Sequence, residues 1–248
     1  MLGEVSGSLD GQGLFIVLDG VDGCGKSTQA RRLVERLARA AGAGPALHIR
    51  EPGSTPLGER VRGLLLETDL VIGPAAEALL FAACRRQTLD ALVAPALAEG
   101  RHVVCERFHA STFAYQMYAS CEAVVPGGAV GGQGAGGGPG DAARAASRTA
   151  EGEARDDVLG LLRTWAGEPR PDLELILDLS PQEAARRRVA AGNGDDRIES
   201  RGEAYLALVV DGYREYARDR EERAVLVPGD GGADEVAELV WAEVCRVR

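Results

Sequence analysis

The chain has 248 residues, 45% of them hydrophobic, with 28 Lys and Arg against 38 Asp and Glu, a formal net charge of −10. That length can enclose a sizeable core as one large α/β domain or two small ones, and the acidic balance argues against a nucleic-acid-binding surface. No apolar run approaches the roughly 18–20 residues of a membrane span, and the first dozen residues lack the basic and apolar regions of a secretory signal.

Residues 1–13 read as a polar leader. Next comes the apolar run Leu14-Phe15-Ile16-Val17-Leu18, of buried-strand type, followed by Gly20-Val21-Asp22-Gly23-Cys24-Gly25-Lys26-Ser27. This stretch fits the G-x-x-x-x-G-K-[ST] phosphate loop, and a helical pattern through Leu33, Val34, Leu37, Ala38 and Ala41 supplies the helix such a loop requires. The glycines let consecutive N–H groups turn toward phosphate oxygens at the positive end of the helix. Lys26 is suited to the β- and γ-phosphates and the Ser27 hydroxyl to Mg²⁺. Lys26 is the only lysine of the chain. A compact ammonium fits between two phosphates where a planar guanidinium does not.

Strand and helix patterns alternate from here on, which predicts a five-stranded parallel sheet with helices on both faces. Strands are expected near 14–19, 46–50, 102–106, 173–178 and 224–227. Helices are expected near 26–42, 57–66, 75–98, 109–118, 155–165, 181–190, 199–219 and 233–246, with Pro95 bending or interrupting the third. Ligands of such sheets bind beyond the carboxyl ends of the strands.

Arg50-Glu51-Pro52-Gly53-Ser54-Thr55 follows the second predicted strand and reads as a loop with a built-in helix cap. Phe81 and Arg85 lie four apart on one helix face, a pairing suited to a flat base; a core Phe beside a surface Arg is the plainer alternative. Glu106, at the end of the third strand, is placed to hold a Mg²⁺-bound water, and the adjacent Arg107 to grip a second phosphate. Ser111, Thr112, Tyr115 and Gln116 follow on a helix.

From Ala119 to about Gly152 the composition is dominated by Gly and Ala, which marks an insertion in a single domain spanning 14–248. Beyond it, Arg186, Arg187 and Arg188 precede a Gly-rich turn and Asp196-Arg197-Ile198-Glu199. The segment has the form of a closing lid with arginines for a transferring phosphoryl group, or of a basic surface helix with an ordinary turn. The five cysteines (Cys24, Cys84, Cys105, Cys121 and Cys245) are odd in number and form no C-x-x-C pair, as expected of reduced thiols in the cytoplasm. Cys24 sits where a helix end lowers a thiol pKa, although a small side chain that fits the loop is the simpler reading. His48, His102 and His109 show no zinc-ligand spacing.

Taken in order, the phosphate loop with Thr28, Arg50-Glu51-Pro52-Gly53-x-Thr55, Leu80-Phe81-Ala82-Ala83-x-Arg85-x-Gln87, Glu106-Arg107 with Ser111-Thr112-x-Ala114-Tyr115-Gln116, Arg170-Pro171-Asp172-Leu173 and Asp196-Arg197-Ile198-Glu199 resemble the thymidylate kinases of the P-loop nucleoside monophosphate kinase group. The resemblance runs from about Leu14 to the C-terminus, broken only by the insertion. It implies phosphorylation of dTMP by ATP with Mg²⁺, usually in a homodimer. It places Gly20 through Thr28 on ATP, Ser27 and Glu106 at the metal, and Asp22 near the acceptor 3′-hydroxyl. Arg107 holds the acceptor phosphate with Arg50 and Pro52 close by, Phe81 stacks on the base, and Arg85 hydrogen-bonds its edge. Ser111, Thr112 and Gln116 lie around the acceptor, with Thr112 facing the base, and Tyr115 crowds the 2′ position. A lid arginine stabilises the transferring group.

Several residues depart from the family pattern. Ser54 stands where a second glycine is usual, Met117 and the insertion replace a Gly-rich segment containing arginine, and Ala191 replaces the arginine before Gly192. Arg188 and Arg197 are therefore the candidates for the catalytic arginine. Asp19 and Glu106 exchange the usual Glu and Asp, which suggests two carboxylates facing one metal-water site with compensating lengths. The alternatives are a kinase of another deoxynucleotide or deoxynucleoside, or a nucleotide-binding protein without transfer activity. A GTPase is excluded, because the Asn-Lys-x-Asp guanine motif needs a second lysine.

Overall fold

The strand that leads into the phosphate loop, β1 (Phe15–Asp19), is buried at every residue, as a strand covered by helices on both faces must be. The computed structural model describes residues 13–40, 45–67, 69–120, 160, 164–192, 197–220 and 223–247. Strands β2 (Leu47–Arg50), β3 (Val103–Glu106), β4 (Leu173–Asp178) and β5 (Ala224–Pro228) complete a five-stranded sheet in the order β2-β3-β1-β4-β5, parallel throughout. The chain builds to one side of β1 through β2 and β3 and then crosses to β4 and β5. Strand order thus reverses at β1, and the crevice at its carboxyl end is the place for a ligand.

Period-2 alternation sorts the central strands between the layers. Ile16 and Leu18 face α1 (Lys26–Ala40) and α8 (Ala233–Val244), packing with Leu33, Leu37, Val236 and Val240. Phe15 and Val17 face the opposite layer with Leu89 and Val93. Farther along that layer, Ile176 of β4 packs on Val209, Tyr213 and Tyr216 of α7 (Glu203–Arg218). Within α1, Leu33 and Leu37 are four apart and almost fully buried; truncating either to Ala removes core volume at a cost of about 2–5 kcal/mol.

The helix predicted over 75–98 is built from three pieces, α3 (Pro74–Thr88), a π-helical turn at Leu89–Val93 and α4 (Ala94–Ala98). The π turn slips the hydrogen-bond register just ahead of Pro95. Its missing donor then falls in the first turn of α4, where no intrahelical donor is needed. The helix predicted over 109–118 is likewise a short α5 (His109–Thr112) continued by a π-helical Phe113–Ala119. The predicted 199–219 helix is broken at Gly202, whose φ of 96° separates a 3₁₀ turn at Glu199–Arg201 from α7. Helices α2 (Pro56–Leu66) and α6 (Pro181–Ala190) lie where the sequence places them.

The leader up to residue 12, the insertion beyond Ser120, most of the helix predicted at 155–165 and the lid tip at 193–196 lie outside the described residues. Among the described residues no helix is long and apolar enough to cross a membrane.

Candidate active site

The loop between β1 and α1 is wrapped around the Lys26 ammonium. Nζ of Lys26 donates to the carbonyls of Gly20 at 2.8 Å and Val21 at 3.0 Å and lies 3.3 Å from Asp22 Oδ1. Glycine is required where the loop meets its neighbours. A Cβ on Gly20 (φ 134°) would stand 2.7 Å from Leu177 O, and one on Gly23 (φ 89°) only 2.5 Å from Ala184 O in α6. Cys24 fills the space beside Gly20, with its Sγ 2.9 Å from where that Cβ would be. Burial pushes the Cys24 thiol up, and Lys26 and Arg107 do not offset it. Cys24 is therefore a small packed side chain and not an activated thiol.

Ser27 Oγ donates to Glu106 Oε2 at 2.5 Å, and the other Glu106 oxygen meets His48 Nε2 at 2.8 Å. Burial opposes ionisation of Glu106, but the hydrogen bonds from His48 and Ser27 and the Lys26 charge outweigh it and hold the carboxyl below its usual range. A hydroxyl and an ionised carboxylate at this distance, beside a phosphate loop, fit the hard-oxygen chemistry of Mg²⁺.

Asp19 does not share that site, contrary to the expectation of two carboxylates on one metal-bound water. The register pairs Leu18 of β1 with Glu106 of β3, so Asp19, one residue on, points to the opposite face of the sheet. It is fully buried there, accepting from the backbone N–H groups of Gly20, Phe108 and Ser111, from Ser111 Oγ at 2.7 Å and from Tyr213 OH at 2.8 Å. Its role is to fasten the start of α5 and helix α7 to the end of β1.

Beside the loop opens a cleft of about 370 Å³. Nine of the ten residues expected around an acceptor line it: Asp22, Pro52, Phe81, Arg85, Arg107, Ser111, Thr112, Tyr115 and Gln116. Arg107 stands at the inner end in a left-handed conformation (φ 69°). It pairs with the Asp22 carboxylate, donates to Ser111 Oγ at 3.0 Å and lies 5.6 Å from the Tyr115 ring centroid. At the other end the half-buried Phe81 flanks Arg85, whose guanidinium is held by Glu51, Phe108 O and Thr112 Oγ1. Burial raises the Glu51 carboxyl to about 7 against the pull of Arg85.

Arg50 is the exception. It pairs on the surface with Glu59, both Nη2–Oε distances being 3.3 Å, and does not line the cleft. The two candidate lid arginines also part company. Arg188 of α6 is 9% exposed, and its Cγ lies 3.2 Å from where a Cβ of Gly23 would be, so it packs against the phosphate loop. Arg197 instead donates to Leu65 O at 2.7 Å and to Glu77 Oε1 at 2.6 Å. Glu77 is fully buried and also accepts from Arg201 and from Gln116 Nε2 at 3.1 Å.

Sequence reasoning passed over Glu51, Arg62, Leu66 and Ile198 as cleft residues, His48 at Glu106, and Tyr213 at Asp19. Glu51 had a signal, since it sits inside the Arg-Glu-Pro-Gly segment. Nothing local distinguishes Tyr213.

The family model described as thymidylate kinase matches residues 18–125. The thymidylate kinase of Synechococcus sp. (strain CC9605) is 37% identical over 240 residues, covering 94% of this chain and 96% of that protein. That of Chlorobium chlorochromatii is 33% identical over 241 residues, covering 93% and 94%. The crystal structure of thymidylate kinase from Ehrlichia chaffeensis superposes with a TM-score of 0.64 at 24% identity, over 94% of this chain and 99% of that one, and shares the fold. With relatives at this identity aligned along nearly its whole length, the chain belongs to the thymidylate kinase family.

Proposed function

We propose that the chain transfers the γ-phosphoryl group of ATP to the 5′-phosphate of dTMP, giving ADP and dTDP. The observation that carries this reading is the cleft itself, with a phosphate-sized cationic end at Arg107 beside the phosphate loop and a base-sized end between Phe81 and Arg85. Lys26 and the loop N–H groups bind the β- and γ-phosphates of ATP. Ser27 and Glu106 would hold Mg²⁺, which would supply charge neutralisation for the transferring phosphoryl group. Arg107 exchanges part of its pairing with Asp22 for the acceptor phosphate and orients one oxygen toward the γ-phosphorus. As that O–P bond forms, the bond from the γ-phosphorus to the β,γ-bridging oxygen breaks, and ADP leaves with its electron pair. No covalent protein intermediate is needed, since positioning and charge stabilisation suffice.

Of the two arginine candidates, Arg188 is the one assigned to the transferring group, because it packs on the phosphate loop, whereas Arg197 is engaged by Glu77. Asp22 faces the sugar, and Tyr115, 5% exposed at the cleft wall, excludes a 2′-hydroxyl. The homodimer implied by the resemblance belongs to the same proposal, with light scattering at twice the chain mass as its test.

ADP formation from ATP and Mg²⁺ tests the reading with dTMP, dUMP, dCMP and thymidine as acceptors. The expected result is turnover with dTMP, little with thymidine, and a loss of at least about 10²-fold in kcat for Lys26→Ala, on the scale of removing one transition-state donor. Arg188→Ala should lower kcat, while Arg197→Ala should lower thermal stability. Preference for thymidine over dTMP would move the assignment to a nucleoside kinase.

A further inference from the structure

Arg85 is 1% exposed and its position is over-determined. Nε donates to Glu51 Oε2 at 2.8 Å, and Nη2 to Phe108 O at 2.9 Å and Thr112 Oγ1 at 3.2 Å. The guanidinium carbon also lies 4.8 Å from the Phe108 ring centroid. A guanidinium has five N–H donors in a fixed plane, so these partners leave only Nη1. That nitrogen is buried with no hydrogen-bond partner among the described residues, on a side chain that lines the cleft. Phe108 O and Thr112 Oγ1 hold one corner of the fork and Glu51 the opposite one. Glu51 is also the one acidic partner of Arg85 among the described residues, with both side chains 2–3% exposed.

We propose that Glu51 is a positioning residue for base selection: its carboxylate fixes the plane of Arg85 so that Nη1 presents N–H donors to the cleft, favouring a pyrimidine with a carbonyl oxygen at that edge over one with an amino group. An amino group there brings a donor against a donor, with no acceptor on Arg85 to receive it. This rests on the reading of the cleft as the acceptor-nucleotide site. Glu51 lines the cleft beside Arg85, and the role assigned to it runs through the Arg85 guanidinium.

The test is the ratio of kcat/KM for dTMP to that for dCMP, measured for wild type, Glu51→Ala, Glu51→Gln, Arg85→Lys and the Glu51→Ala/Arg85→Lys pair. Arg85→Lys is expected to lower the ratio at least tenfold. Glu51→Ala should lower it by about the same factor, through a raised KM for dTMP with the KM for ATP unchanged. Glu51→Gln, which keeps an acceptor for Nε, should lose less. In the Arg85→Lys background Glu51→Ala should change the ratio no further, since the fork it positions is already gone. A Glu51→Ala enzyme that loses activity on both nucleotides equally, or effects on the ratio that simply add, would overturn the proposal. Where Glu51→Ala does not fold, Glu51→Asp, one methylene too short to reach Nε, is read in the same way. An Arg85→Lys ratio equal to that of wild type sinks the reading of the cleft itself. A shifted Arg85→Lys ratio beside an unshifted Glu51→Ala ratio sinks only the role of Glu51.

Discussion

Ser54 occupies a left-handed backbone conformation, φ 61°, in the loop after β2, a geometry that costs a non-glycine residue about 1 kcal/mol. Its side chain recovers part of that. Oγ accepts from Arg50 N at 2.9 Å and donates to Arg50 O at 3.3 Å, closing the loop on itself. Two neutral hydrogen bonds on an exposed loop contribute about 1 kcal/mol in all, so strain and bonding nearly cancel. Ser54→Gly is therefore expected to change stability by less than about 1 kcal/mol, whereas Ser54→Ala keeps the strain, loses both bonds and should be the less stable variant. Urea denaturation midpoints of the two variants decide it, and an alanine variant as stable as the glycine one would refute the account. The family pattern made Ser54 visible as a departure. Its compensating bonds to Arg50 were invisible, as they depend on how the loop closes. Asp19 shows the same limit: the chain order placed it at the end of β1, but only the lateral pairing of Leu18 with Glu106 decides which face it serves.

Helix α7 lies against the π-helical Phe113–Ala119, the segment that carries Tyr115 and Gln116 into the cleft. The close approach passes through Gly212, where a Cβ would stand 3.0 Å from both Ala114 Cα and Tyr118 Cβ. Intrinsic propensity favours Ala over Gly in a helix by about 1 kcal/mol, but here the new methyl meets backbone and the root of a side chain. Gly212→Ala is thus expected to destabilise the fold by about 1–3 kcal/mol despite the better propensity and to raise the KM for the acceptor nucleotide by displacing Tyr115. A stabilised Gly212→Ala protein would show that propensity wins and that the contact is soft. The inner strands β1, β3 and β4 were legible because each lies in an apolar run that a parallel sheet must bury. Edge strand β2, Leu47-His48-Ile49-Arg50 with only Ile49 buried, carries a weaker signal, and the cleft residues were legible because they follow these strands. The π turns at Leu89–Val93 and Phe113–Ala119 were not, since a slipped hydrogen-bond register leaves little trace in periodicity over five to seven residues. The buried junction joins Glu77 to Gln116, 39 positions on, and to Arg197 and Arg201, 120 and 124 positions on, beyond the reach of local pattern.

Two buried carboxyls link the stability of the whole molecule to pH. Burial raises Glu51 to about 7 against Arg85, and burial raises Glu174 to about 7 against the hydrogen bonds it accepts from Tyr216. Unfolded, both titrate near 4.3. Between roughly pH 4.5 and 7 the folded chain therefore binds more protons than the unfolded one, and stability falls as pH rises through that window before levelling off. Glu106 works the other way: its lowered carboxyl contributes stability that is present above the unfolded pKa and lost as the solution is acidified through the folded one. The two trends bracket a stability maximum on the acid side of neutrality. Glu51 gains the charge that anchors Arg85 only as pH rises through about 7, so the form best arranged for the acceptor is not the most stable form. Glu174 separates these effects, because it lies on β4 among residues that do not line the cleft. Glu174→Gln keeps an acceptor for the Tyr216 hydroxyl and removes the titration. Its melting temperature should decline less between pH 5 and 7.5 than that of wild type, with the dTMP/dCMP ratio unchanged; parallel curves for the two proteins would mean that Glu174 does not stay protonated in the fold.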